Sequence, residues 1–508
     1  MSRNEWWRGA AIYQIYPRSF QDSNGDGVGD LRGVLRRLPH IASLGVQAIW
    51  ASPFFQSPMA DMGYDVSDYR EVDVLFGALA DFDELLAESH HLGLKVIVDH
   101  VLSHTSEKHA WFVESRGSRD NPKADWYVWA DPKPHGGAPN NWLSVFGGPA
   151  WEWDGVRRQY YMHNFLASQP DLNFHHAEVQ QAVLDTARYW LERGVDGFRL
   201  DAVNFCFHDR KLRNNPALPA GAANDIPATN PYGFQDHLHD KTQPQTIRFL
   251  QRYRGLLEGY AERVAMGEVG DGPRSLRTAG EYTSGGDKLH LCYTFDLLGA
   301  EFTPAHFAAA IRAFEETAPD GWPCWAFSNH DVIRHATRWG EPALGLAITL
   351  LVCLRGAICL YQGEELGLTE ADLQFEDLRD PYGIRFWPAF KGRDGCRTPM
   401  AWERDAPNAG FSTAKPWLPI PREHLSKAAD TRPAILETYR AALRLRQEHA
   451  ALRTGSIRIV EANDSVLAFE RRSDRETVLC VFNMSRESVR WKDLDLAPFA
   501  WITDWTSS

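Results

Sequence analysis

The chain has 508 residues, 44% of them apolar and 24% charged, which is ordinary for a globular protein and enough for a large α/β core with appendages. Its formal net charge of −13 comes with no basic stripe, so a nucleic-acid partner is not expected. Seven scattered cysteines with no C-x-x-C pair suit a reducing compartment better than a disulfide framework.

The first residues, "MSRNEWWRGA", hold no apolar run that could serve as a signal peptide, and a cytoplasmic location is expected. A β-type run at 11–16 leads into "DSNGDGVGD" (22–30). Asp22, Asn24 and Asp26 alternate there as in the opening of an EF-hand, with Gly27 at the turn. The twelfth position, where an EF-hand needs a bidentate Glu, is Gly33. A hard cation is expected, but no paired-helix switch.

Further β-type runs follow at 47–53, 95–101, 197–203, 263–269, 288–295, 324–331 and 357–365, making eight, with amphipathic helices between them. Val179, Val183, Ala187, Trp190 and Leu191 share one helical face ending at Gly194. Phe307, Ala310, Ile311 and Phe314 share another, and a last helix is expected over 435–452. The apolar stretch from Ala343 to Tyr361 is too short and broken to span a membrane and predicts a buried helix followed by a strand.

Eight such units predict an α/β fold of the (β/α)8 TIM-barrel type. The expected organisation is a first barrel part over 1–103, an inserted subdomain over 104–170 after strand 3, and a second barrel part over 171–452. The latter includes a long loop at 364–432, and a small β-sandwich-like domain follows over 453–508. Both insertions follow strand C-terminal ends and are expected to wall a pocket. The irregular segment 207–231 reads as a surface loop or as a lining of the pocket mouth.

The chemistry-bearing residues gather at one end of the barrel. Asp99 closes the third strand, Arg199 and Asp201 the fourth, Glu268 the fifth, and His330 with Asp331 the seventh. One buried charge is commonly a structural salt bridge, whereas four strands ending this way point to an active site. Three carboxylates and an arginine, without a serine or cysteine motif, suit glycoside chemistry. Arg199, two residues before Asp201, shares its strand face and can keep it ionised. A zinc site at His100, His104 and His109 is the competing metal chemistry, although no helix would present the three together.

In motif order, from about residue 6 to 450, the chain resembles the α-amylase clan of glycoside hydrolases, in its oligo-1,6-glucosidase and α-glucosidase branch. "VDHVLSH", "GFRLDAV", "GEV" and "SNHD" stand in the positions of that clan's signature regions, and "QPDLN" (169–173) resembles the branch marker. The resemblance implies Asp201 as nucleophile, Glu268 as acid/base and Asp331 as transition-state stabiliser. It places Asp99, Tyr64, His104, Arg199 and His330 in the sugar pocket, with Asp61 and Arg397 clamping the terminal glucose. It further implies a structural calcium or magnesium ion held by Asp22, Asn24, Asp26, Asp30 and the Val28 carbonyl, and no organic cofactor.

Two departures carry expectations of their own. Ser103 stands where the clan usually has Asn, which predicts a weaker hydrogen bond behind His104 and no second ion. Ala202 follows the nucleophile, where α-1,6-specific relatives tend to carry Val, and its small side chain predicts a preference for α-1,4 links. The implied activity is a retaining exo-α-glucosidase acting on small maltose-like sugars, with transfer to other acceptors through a glucosyl-enzyme. An α-1,6-specific enzyme, a sucrose-processing glucosyltransferase and a non-catalytic barrel scaffold are the alternatives. No membrane partner is expected, and the sequence leaves the oligomeric state open.

Overall fold

A computed structural model describes residues 5–219 and 226–507. Its centre is an eight-stranded parallel sheet of Ala11–Ile15 (β1), Ala48–Ala51 (β2), Lys95–Val101 (β3), Gly197–Asp201 (β4), Val264–Val269 (β5), Leu291–Thr294 (β6), Cys324–Ala326 (β7) and Ala357–Tyr361 (β8). Neighbours pair in sequence order, β8 pairs with β1, and a bridge between Cys292 and Pro323 closes the ring. A helix follows each strand, as right-handed parallel crossovers require.

All eight expected strands are present, and several are shorter than their apolar runs. β7 stops at Ala326, so the Ser328–Asp331 stretch is loop rather than strand. β4 stops at Asp201 because Ala202 turns into the left-handed region, at φ 41° and ψ 44°. Charged residues thus leave the sheet where the chain has to turn, which puts them at the rim.

The helices pack by the predicted stripes. Helix Ala177–Arg193 buries Val179, Val183, Ala187, Trp190 and Leu191 and stops at Gly194, whose φ of 111° favours glycine. The apolar stretch divides into helix Leu344–Cys353 and β8. The expected last helix is two, Ala434–Glu448 and Ala450–Thr454, because His449 adopts an extended conformation between them.

Within 104–170 lie a short helix, Ala110–Gly117, and a three-stranded sheet of Trp129–Ala130, Gln159–Met162 and Trp151–Asp154. The segment after β8 is mostly short 3-10 turns with one helix, Pro381–Phe386. Beyond Gly455 an antiparallel sheet orders as Ser456–Ala462, Val466–Arg472, Glu476–Asn483 and Trp501–Ser507. One face, through Leu467, Phe469 and Phe482, joins the main core, while Trp491 and Leu496 of a hairpin cover the other. Arg471 crosses from this sheet to the Cys353 carbonyl at 2.6 Å. It meets the end of helix Leu344–Cys353, where a cation suits the helix dipole.

Among the described residues no helix is long and apolar enough to cross a membrane.

Candidate active site

Register builds the floor of the site. Asp99 on β3 lies opposite Arg199 on β4, and Glu268 on β5 lies opposite Tyr293 on β6. Arg199 also lies level with Met266, so Glu268, two residues on, stands level with Asp201. Period two then points Arg199 and Asp201 to one face.

The guanidinium of Arg199, fully buried, ties the groups together. One terminal nitrogen donates to Asp99 at 2.8 Å and to Asp201 at 2.6 Å. The other reaches Glu268 at 2.7 Å and the Tyr293 hydroxyl at 2.8 Å. A planar fork with fixed donors can do this where a lysine ammonium cannot. Trp50 lies under the guanidinium at 5.0 Å and donates its N–H to Asp99 at 3.2 Å.

A second node sits above, on loops. Asp331 accepts from Arg397 at 2.8 Å and Arg393 at 3.3 Å, and lies 3.3 Å from the His330 ring. Asp61 accepts from Arg393 at 2.8 Å and from the Gln169 side-chain amide at 3.1 Å. Arg393 is fixed in turn by Asp380 at 2.7 Å. The partner of Asp61 is therefore Arg393, which sequence reading passed over. Arg397 is wholly buried and serves Asp331 and the His330 carbonyl.

The nodes differ in charge balance, and their carboxyls differ accordingly. Burial pushes Asp201 up, against Arg199, with Glu268, Asp99 and Asp331 adding to the rise. Burial carries Asp99 to about 6 in spite of Arg199. Asp61, buried beside Arg393, is likewise raised to about 6. For Asp331 burial acts upward too, but His330, Arg393 and Arg397 outweigh it and hold the carboxyl well below the usual range. Burial lowers His104 to about 4 and His330 to about 3, so both rings are neutral at neutral pH.

The remaining predicted residues fall around these nodes. Tyr64 stacks on His330 with ring centres 5.4 Å apart, and its hydroxyl lies 2.5 Å from the ring nitrogen Nε2. His104 places Nε2 3.0 Å from the Tyr64 carbonyl, which can only accept, so Nδ1 is left to accept from Ser103 at 2.9 Å. Ser103 thus makes the hydrogen bond behind His104 directly. Ala202 turns its backbone N–H to Glu268 Oε2 at 3.0 Å.

A cavity of about 790 Å³ opens over both nodes. Asp61, Tyr64, His104, Asp201, Ala202, Glu268, Asp331 and Arg393 line it, while Arg199, His330 and Arg397 stand behind that wall. Val145, Phe146 and Phe165 come from the first insertion, and Tyr382 and Phe390 from the second, so both wall the cavity. Leu218, Pro219, Ile226 and Pro227 line it from the 207–231 segment, of which 220–225 lie outside the described residues. Apolar side chains from both insertions and from this segment thus share the lining with the charged groups of the two nodes.

The zinc alternative dissolves in this geometry. His100 bonds Tyr253 and Thr186, His104 bonds Ser103, and His109 caps helix Ala110–Gly117 through the Trp111 N–H. Among the described residues no three His, Cys, Asp or Glu side chains gather to hold a metal ion.

That statement covers the 22–30 loop as well. Asp22 takes N–H bonds from Asn24, Gly25 and Gly27 and a hydroxyl bond from Ser412 at 2.5 Å. Burial acts upward on Asp22, but these donors hold it ionised below its ordinary value. Asp26 accepts from Val28 N, and Asp30 from Ser23 N and Gly33 N. Gly27, at φ 93°, is required there, because a Cβ would meet the Lys415 carbonyl at 2.1 Å. The loop is hydrogen-bonded to the second insertion through Asp22 N to Phe411 O at 3.0 Å and Trp417 N to Gly27 O at 2.9 Å.

Carboxylates at the C-terminal rim of a parallel barrel, held by one buried arginine under a deep cavity, define an enzyme site of the glycosidase type. The profile of the alpha amylase catalytic domain matches residues 14–455, and that of the maltogenic amylase C-terminal domain matches 457–503. A probable alpha-glucosidase of Rhizobium meliloti is 58% identical over 95% of this chain and 90% of its own. The crystal structure of the alpha-glucosyl transfer enzyme XgtA superposes with a TM-score of 0.95 at 53% identity, covering 99% of this chain and all of that one. An isomaltulose synthase mutant of Erwinia rhapontici, solved with its natural substrate sucrose, gives a TM-score of 0.86 at 31% identity over 95% and 91% of the two chains. The chain belongs to the α-amylase family of glycoside hydrolases.

Two residues of the site left little trace in the sequence. Arg393 stands four before Arg397 in an irregular loop, where no periodicity assigns a face. Tyr293 lies inside β6, a strand without charged residues, and only its register opposite Glu268 marks it.

Proposed function

We propose that the protein is a retaining exo-α-glucosidase that also transfers glucose to acceptors other than water. The observation that carries this reading is the sharing of one guanidinium by Asp201 and Glu268, at 2.6 and 2.7 Å. One planar fork favours the short carboxyl separation of retaining enzymes, ~5–5.5 Å, over the ~6.5–9.5 Å that leaves room for water in inverting ones.

In this reading Asp201 attacks the anomeric carbon while Glu268 gives its proton to the leaving oxygen. Glu268 then takes a proton from water or another hydroxyl, which attacks the glucosyl-enzyme and restores the α configuration. Asp331, kept ionised by its arginines, faces the positive charge that develops on the sugar ring. Arg393 and Asp61 close the inner end of the pocket, which supports removal of single glucose units. The transfer activity named for the XgtA structure and the apolar side chains that both insertions bring to the cavity favour acceptors besides water.

The small side chain of Ala202 supports α-1,4 substrates, and the isomaltulose synthase keeps sucrose as an alternative. Glucose release from maltose, isomaltose and sucrose at equal concentration tests the assignment. Maltose is expected to lead, and leading release from isomaltose or sucrose would overturn the linkage argument. D201N is expected to abolish release, whereas unchanged release would overturn the nucleophile.

A divalent ion at 22–30, if bound, would be held by Asp22, Asn24, Asp26, Asp30 and the Val28 carbonyl. Their hard oxygens suit calcium or magnesium, although the acidic groups are not drawn together in this loop. The ion would staple the loop to the second insertion and take no part in the reaction. Strong chelation is then expected to lower Tm and leave KM for maltose unchanged. Seven buried, unpaired cysteines support a cytoplasmic setting.

A further inference from the structure

Tyr293 is 2% exposed and does not line the cavity, so it does not touch a bound sugar. Its hydroxyl lies 2.8 Å from Arg199 Nη2 and 2.8 Å from Glu268 Oε1. A guanidinium can only donate, so the phenol must accept there and its single proton must go to Glu268. The direction of this bond follows from chemistry alone.

Glu268 Oε1 therefore faces two donors, the Tyr293 hydroxyl and Arg199 at 2.7 Å. A proton on that oxygen would meet both. Oε2 faces only the Ala202 N–H, at 3.0 Å, and keeps a lone pair. The two oxygens of the acid/base are thus unequal before any substrate enters.

We infer that Tyr293 is a positioning residue that commits Glu268 to one proton-carrying oxygen, Oε2, in both halves of the reaction. The inference rests on the glucosidase reading above. In the first half the proton leaves Oε2 for the glycosidic oxygen as the C–O bond breaks. In the second, Oε2 takes the proton of water or an acceptor hydroxyl as the new C–O bond forms. Oε1 stays bonded to Tyr293 and Arg199 throughout. The other charged groups around Glu268 are Arg199 and Asp201 on β4 and Asp99 on β3. Asp331 lies beyond them and bears on both Asp201 and Tyr293.

Y293F removes the hydroxyl and keeps the ring against Trp50 and Phe295. Loss of this donor leaves Oε1 free to take up the proton as well, so the alkaline limb of kcat/KM on maltose moves to higher pH, by about one unit. Turnover of maltose falls more than turnover of a nitrophenyl α-glucoside, whose leaving group needs little protonation. Replacing Tyr293 with 3-fluorotyrosine, a stronger donor of the same shape, moves the limb the opposite way. A purely structural residue would lower both substrates by one factor and leave the limb in place, and that result would overturn the inference. E268Q separates the two levels, since it should lose maltose turnover far more than nitrophenyl glucoside turnover. If the wild-type chain turns over neither glucoside, the glucosidase reading falls and this inference falls with it.

Discussion

The two arginine nodes do the same electrostatic work by different means. Arg199 stands on a strand and meets Asp99, Asp201 and Glu268, an excess of acid on one cation. Arg393 and Arg397 stand on a long loop and converge on Asp331. Burial pushes Asp201 up and its one shared arginine does not offset this, whereas the half-buried Asp331 is held down by His330, Arg393 and Arg397. Burial alone does not set the state of an active-site carboxylate, because the cations beside it decide how far burial is offset. The strand node is fixed by register, and the loop node depends on how the second insertion closes.

The largest break in this comparison is R199K. An ammonium cannot span Asp99, Asp201, Glu268 and Tyr293, so kcat/KM on maltose should fall roughly 10³-fold or more. Stability should fall by about 3–5 kcal/mol from carboxylates left without their partner. Activity within tenfold of wild type would show that the shared fork is dispensable. R393A comes next. It strips Asp61 of its cation and weakens only one of two bonds to Asp331, so KM should rise more than kcat falls. A change confined to kcat would assign Arg393 to the reaction rather than to the closed end of the pocket.

The pH dependence sharpens the contrast. With Asp61 raised to about 6, its ionised form is lost as pH drops through that value, and KM for maltose should climb on the acid side. D61N should flatten this rise, while Asp331 stays ionised across the same range. For stability the signs are opposite. Asp331, depressed in the folded state, stabilises above its unfolded value near 4, and that contribution is lost only as pH falls well below it. Asp61, raised in the folded state, opposes folding as pH rises from about 4 to about 6. Thermal melts of D61N against wild type across pH 4–7 check this.

The smallest effect is expected at Ala202, whose left-handed conformation costs about 1 kcal/mol that glycine would not. A202G should not lower Tm through backbone strain, and A202V should lower it and reduce the maltose-to-isomaltose ratio. An unchanged ratio in A202V would remove Ala202 from the specificity argument.

The strand node was legible in the sequence because period two and parallel register turn spacing into neighbourhood. Arg199 and Asp201 could be placed together from their separation alone. Asp99 and Glu268 could be placed at the same rim because each ends an apolar run. The loop node was legible only by resemblance, which named Asp61, His330, Asp331 and Arg397 but not Arg393, the arginine that Asp61 meets. No periodicity operates between Glu364 and Arg432, so nothing local decides whether Arg393 or Arg397 reaches the cavity. The seventh run was read too long because Phe327 carries the apolar run one residue past the ladder, and the polar Ser328–Asp331 that follows is loop. Ala202 shows the opposite limit, since nothing in its side chain announces a positive φ.

The most direct test of the central claim is the anomeric configuration of the glucose first released from a nitrophenyl α-glucoside, whose leaving group has no anomeric centre of its own, followed by proton NMR before mutarotation equilibrates it. Two carboxylates sharing the Arg199 fork predict that α-glucose appears first. First release of β-glucose would mean an inverting reaction and would contradict the account.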